Sequence, residues 1–260
     1  MDAYIFRFNV SDLRKIESRA LGFLISSGHC CNELVALMPY IVFEQSLENA
    51  NEVEGALIIA RRYTIDRIIV SKIVEYDELC SKFFHEVPFV GDDLYNELKK
   101  EYDLISPKIR AQKWARILRN KASFHFDEKY ATDSLRKLDA NHPLRMILGR
   151  MSGVTLFEFS EEVLGRPIFE EAGSGDIGMG MDAINRFILE SIRVIRDFHS
   201  RSMISAFTKY GLVSQRESAE LRENYCGSPG VDYVALSIST EYISKLPTAK
   251  RRGRSKKVRS

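Results

Sequence analysis

From Asn51 to Phe83 the residues Val53, Leu57, Ala60, Ile65, Ile68, Ile69, Ile73, Tyr76 and Phe83 fall on one side of a helical wheel. Arg61, Arg62, Asp66, Lys72 and Glu75 fall largely off that side. A stripe of that length is buried only as a long amphipathic helix laid against other helices. The rest of the chain must supply the cover, which predicts a mainly α fold, a helical bundle.

Several other segments carry the same period. Ser11 or Asp12 can cap a helix with Leu13, Ile16, Ala20, Phe23 and Leu24 inward, and Gly28 marks a break after it. Pro39, inside the apolar run Leu34 to Phe43, is expected to bend or restart a second helix. A short helix follows from Asp92 with Leu94, Leu98 and Tyr102 inward. Ser106-Pro107 reads as the start of the next, which buries Ala111, Ala115, Leu118 and Ala122 beside Trp114. Asp127 can cap another helix, with Tyr130, Ala131, Leu135 and Leu138 inward. A long one is expected after the glycine-rich loop 173–180, with Ile184, Ile188, Ser191, Ile195 and Phe198 along one stripe.

Two stretches break the helical pattern. Leu144, Met146 and Leu148 alternate, Ser152-Gly153 offers a turn and Val154 to Phe159 looks strand-like, so a small β-hairpin insertion is expected there. A polar helix is expected near Ser214 to Asn224, followed by an ambiguous apolar segment at Val231 to Ile243. Residues 1–245 are read as a single mainly helical domain and 246–260 as a disordered basic tail.

Charge supports that division. Of 38 Lys and Arg residues, seven (Lys250, Arg251, Arg252, Arg254, Lys256, Lys257 and Arg259) lie in the last eleven positions, leaving 31 against 36 acidic residues in the body. The body is acidic, and the tail is too charged to fold alone. Such a tail suits nucleic-acid phosphates, or simply keeps the chain soluble.

With 45% hydrophobic residues the chain can bury a sizeable core. The longest apolar run is half the length a bilayer needs, and no membrane span is expected. MDAYIFRFNV lacks the basic start and apolar stretch of a secretion signal. Cys30 and Cys31 are adjacent, Cys80 and Cys226 distant, and no pair has zinc-knuckle or redox spacing, which fits a reducing cytoplasm. No cofactor or metal is indicated.

One short segment carries chemistry. In Arg119-Asn120-Lys121-Ala122-Ser123-Phe124-His125, a guanidinium and an imidazole close a helix six positions apart. Imidazole titrates near neutrality, so His125 can move a proton to or from a ribose hydroxyl without a metal. Arg119 never loses its charge and can contact a developing phosphorane through paired hydrogen bonds. Asn120 can orient the phosphate or hold His125 in one tautomer. On an ideal helix six residues separate the two side chains by about 120°. They converge only if the helix ends or distorts before His125, or if a second subunit completes the site. The alternative is structural: Arg119 a solvated flank, Asn120 a helix terminator, and His125 packed between Phe124 and Phe126.

An Arg followed by a polar residue and, after four to six residues, a His resembles the signature of HEPN-fold proteins, and Leu118 to Asp127 at a helix end resembles its setting. That resemblance implies a metal-independent endoribonuclease, commonly a homodimer with both motifs lining a shared cleft. It also implies toxin or antiviral defence roles, with an antitoxin or other protein partner. Several members are inactive and bind nucleotides or partners instead.

Other signals are weaker. Gly173-Ser174-Gly175-Asp176-Ile177-Gly178 has G-x-G-x-x-G spacing but no strand before it, and reads as a flexible loop. His29 beside Cys30 and Cys31 makes a poor metal site. His85, His142 and His199 lack triad partners, and Glu161-Glu162 and Glu170-Glu171 read as solvated acids.

Overall fold

The computed structural model describes residues 2–6, 8–42, 50–86, 93–123, 127–147, 156–212 and 216–220. Among them the chain is mainly helical, as the apolar periodicity requires. The elements run β1 (Asp2–Phe6), α1 (Val10–Leu13), α2 (Ser18–Val42), α3 (Glu52–Glu86), α4 (Asp93–Arg110), α5 (Lys113–Ile117), a π-helical turn (Leu118–Ser123), α6 (Glu128–Lys137), α7 (Glu158–Ala172), α8 (Ile177–Lys209) and β2 (Arg216–Glu220). They divide into two compact units, one built from Met1–Leu24 with Ser200–Ser260, the other from Ile25–His199.

The larger unit is held by parts of the stripes expected from sequence, although Val53 is exposed and Asp66, expected off the α3 stripe, is buried. Ile69, Val70 and Ile73 of α3 and Ile184, Ile188, Ile192, Ile195 and Phe198 of α8 are all but completely buried, with Leu34 of α2 and Ile168 of α7. Cys30, Cys31 and Cys80 are buried as free thiols, and burial pushes the Cys30 thiol up to about 12, where it is inert at neutral pH. In the smaller unit Ile16, Phe207 and Leu212 form a core flanked by Leu13, Leu21 and Met203. β1 and β2 pair antiparallel there, Asp2 opposite Glu220 and Phe6 opposite Arg216.

Several boundaries differ from the expectation. Gly28 does not end a helix, because α2 runs through it. Its missing Cβ makes room for the His199 ring, whose Nε2 would lie 3.0 Å from a methyl there. Pro39 also lies inside α2, three residues before its end. Ser106-Pro107 opens no helix but sits in the last turns of α4, and the break comes at Ala111-Gln112. Pro107 fits there because its ring clashes only with the preceding turn and few helical bonds remain beyond it. Arg216–Glu220 is a strand rather than part of a polar helix, because a partner some two hundred positions away pairs with it.

The described residues do not support the hairpin expected over 144–159 as a named strand pair. One isolated antiparallel bridge joins Ile147 to Leu156, and residues 148–155 lie outside the described set. Phe159, expected in the strand, lies in the first turn of α7, and the alternating Leu144 and Met146 are exposed. The capping role of Asp127 is as expected, its carboxylate accepting the Tyr130 N–H at 2.9 Å. Leu135, expected inward on α6, is exposed, and the buried position is Ser134. The 221–260 segment, including the apolar stretch at 231–243 and the basic tail, lies outside the described residues.

Ser18–Tyr40, expected to be too short an apolar run, is long and apolar enough by length and composition to cross a bilayer. In the larger unit its residues Leu34 and Met38, with both cysteines, are buried, and the Cys30 thiol reaches the Lys72 carbonyl at 3.5 Å. Ile25, Val35 and Tyr40 of the same helix are exposed, so packing covers only part of this apolar span.

The glycine-rich loop packs closely between α7 and α8. A Cβ on Gly173 would meet the Asp176 carbonyl at 2.0 Å, and one on Gly180 the Phe169 carbonyl at 1.9 Å. These glycines let α7 and α8 approach, and Asp176 closes the start of α8 by accepting the Met179 N–H at 2.8 Å.

Candidate functional site

The Arg-Asn…His segment begins where α-helical geometry stops. Trp114, Ala115, Leu118 and Ala122 are buried, which fixes the inner face of α5 and of the π-turn that follows it. A π-turn closes hydrogen bonds to the fifth residue instead of the fourth, so it widens the helix and resets the direction of later side chains; such turns concentrate at functional sites. Arg119, Asn120 and Lys121 point outward between the two buried anchors.

The guanidinium of Arg119 is held on two sides. Nη2 lies 2.9 Å from Oε2 of Glu78 on α3, and Nη1 donates to Oδ1 of Asn120 at 3.0 Å. The Arg119 side chain stays 25% exposed and that of Glu78 54%. Lys121 forms an ion pair with Asp127, which holds the Asp127 carboxyl below its usual range. That pair ties the end of the π-turn to the N-cap of α6. His125 lies in the short stretch 124–126 between them, outside the described residues. Arg119 and Asn120 are therefore together; the position of the imidazole is not described.

The footing of this site is a buried polar cluster that the sequence reading missed. Asp77, next to Glu78, is almost fully buried. Its Oδ1 accepts from the Ser106 hydroxyl at 2.7 Å and the Tyr102 hydroxyl at 3.1 Å, and its Oδ2 from Arg110 Nε at 2.9 Å. Arg110 Nη2 also donates to Tyr102 Oη at 2.8 Å, and burial pushes the phenol up to about 12. A buried carboxylate needs this many donors. The network locks α3 to α4 one residue from the carboxylate that holds Arg119. The signal was present, since Asp77 falls on the buried side of the α3 stripe where an unpaired acid would be costly.

The other candidates separate. His142, set aside for want of partners, lies 3.0 Å from Glu162 Oε1, which also accepts from Arg166 Nη1 at 2.9 Å. Glu161 pairs with Arg67 and Glu170 with Arg166, so these three acids are engaged rather than simply solvated. His199 is buried against Ser27, with Nδ1 3.1 Å from the hydroxyl, and burial pushes its imidazole down to about 4. Lys250, Arg251, Arg252, Arg254, Lys256, Lys257 and Arg259 lie outside the described residues.

No protein-family model, curated protein or solved structure matches this chain.

Proposed function

We infer that this chain is an RNA-directed protein of the HEPN kind, a metal-independent endoribonuclease acting through Arg119, Asn120 and His125. The observation that carries the reading is the π-turn at Leu118–Ser123. On a regular helix the guanidinium and the imidazole would diverge by about 120°. Here α geometry ends at Ile117 and a new helix starts at Glu128, so the angle of a continuous α-helix does not fix how the two side chains stand.

The chemistry follows from the residues. Glu78 and Asn120 hold the Arg119 guanidinium at the surface, ready for a phosphodiester. An exposed ion pair of this kind is worth about 0–1 kcal/mol, so a phosphate can share or displace Glu78 at little cost. The imidazole of His125 takes the proton of the 2′-hydroxyl as that oxygen attacks phosphorus, or delivers one to the departing 5′-oxygen. Charge gathering on the phosphorane oxygens is met by Arg119. The basic run from Lys250 to Arg259 adds phosphate contacts. The protein works in the cytoplasm as a homodimer, with an antitoxin or similar partner.

Mixed RNA incubated in EDTA with wild type and with His125→Ala tests this. Cleavage by the wild type that the substitution abolishes is expected; equal activity in both, or none in either, defeats it. A second reading is favoured by the Arg119–Glu78 pair itself, which suits a non-catalytic helical scaffold in which the motif joins the π-turn to α3. His125→Ala would then lower the melting temperature and leave every RNA phenotype unchanged.

A further inference from the structure

The groove between α4 and α8 in the larger unit is open, with a volume of about 880 Å³. Ile109, Phe187 and Val194 line it, with Lys108, Arg186 and Arg193 on its walls. All three cations are exposed, and among the described residues none has an ion-pair or hydrogen-bond partner. Exposed cations without a partner occur elsewhere too, Arg61 and Arg116 among them; these three differ in lining one groove. Arg186 and Arg193 are two turns apart on α8, so they share a face and stand about 10 Å apart along its axis. Glu190 stands between them, and Asp197 at the groove's end is met by Arg196 at 3.5 Å.

Phe187 is half-buried, with its ring 5.2 Å from that of Trp114 at an interplanar angle of 78°. Trp114 belongs to α5, which leads straight into the π-turn carrying Arg119. The Trp114 indole donates to Gln112 Oε1 at 2.9 Å, and Gln112 also lines the groove. Two lining residues, Phe187 and Gln112, thus touch Trp114 of the short helix that precedes the motif.

Unpaired cations spaced along a groove beside a partly exposed aromatic ring are how proteins hold single-stranded nucleic acid, phosphates on the charges and a base on the ring. We propose that Lys108, Arg186, Arg193 and Phe187 form a binding track for single-stranded RNA. This rests on the RNA-directed reading above, but it concerns binding and not cleavage.

Anisotropy of a short labelled oligouridylate with the full-length protein tests it over a salt series. Changing Lys108, Arg186 and Arg193 together to Glu should weaken binding on the order of tenfold and lower the slope of log Kd against log salt by about 2. Phe187→Leu should weaken binding with no change in that slope. The single changes Arg186→Glu and Arg193→Glu, at exposed positions, give the same sign if the triple variant folds poorly. Unchanged affinity and slope would overturn the proposal, as would absence of binding by the wild type or equal affinity for a duplex. Loss of a wild-type dimer in the triple variant would also overturn it, by giving the groove to a second copy. Loss of binding in the groove variants without cleavage by any protein defeats only the nuclease reading. Normal binding by those variants beside His125-dependent cleavage defeats only the track.

Discussion

Two buried polar residues set the strongest expectations at the scale of single side chains. The imidazole of His199 titrates near 4 in the folded protein and near 6.5 when unfolded, so it must stay neutral to remain buried. Its contribution is complete above about pH 6.5 and is lost as the pH falls toward 4, a swing of about 3 kcal/mol from the difference in pKa. Urea midpoints between pH 7 and pH 4 should therefore fall more steeply for wild type than for His199→Gln; parallel profiles would show that the ring is not desolvated in this way. Asp77 is the second case. Asp77→Ala leaves Arg110, Tyr102 and Ser106 without their shared acceptor, and a loss of about 3 to 5 kcal/mol is expected. Chemical denaturation checks this, and a loss under about 1 kcal/mol would mean that water replaces the carboxylate.

Glycines show how far element-scale structure can be read from sequence. Gly180→Ala must push α8 away from the Phe169 carbonyl and should cost about 1–3 kcal/mol. Gly22→Ala meets nothing within 4 Å in α2 and should stabilise by about 0.5–1 kcal/mol. Melting temperatures of the two variants should move in opposite directions; a shift of the same sign in both would contradict this packing. No local pattern separates these glycines, because the difference lies in a neighbouring helix. The same holds for Gly28, read as a break until the His199 ring is seen beside it, and for Arg216–Glu220, whose pairing partner is at the other end of the chain. Long stripes such as Ile184 to Phe198 were legible, since their period alone dictates one buried face. The Asp127 cap was legible too, because capping is local. The π-turn was anticipated only as a need for distortion, as no residue in Leu118–Ser123 announces it. Glu78 was missed as the brace of Arg119 because nothing on an exposed helix face distinguishes it from any other acid.

Across the molecule, an acidic body is followed by a terminal run of seven cations and has three more, unpaired among the described residues, along one groove. Each phosphate contact to a single strand adds about 0.7 to the salt slope, so the two sets are separable. Replacing the tail cations by Gln should lower the slope for any single-stranded RNA and leave the site of cleavage unchanged; an unchanged slope would free the tail of any role in binding. The account as a whole turns on whether Arg119 and His125 act on one phosphodiester across the π-turn. The most direct measurement is the chemistry of the product ends formed in EDTA by wild type, Arg119→Ala and His125→Ala, each with its melting temperature recorded. Attack by the 2′-hydroxyl predicts 2′,3′-cyclic phosphate and 5′-hydroxyl ends from wild type, and no such ends from either variant at an unchanged melting temperature. The same ends at the same rate from all three proteins, or no cleavage by the wild type, would contradict it.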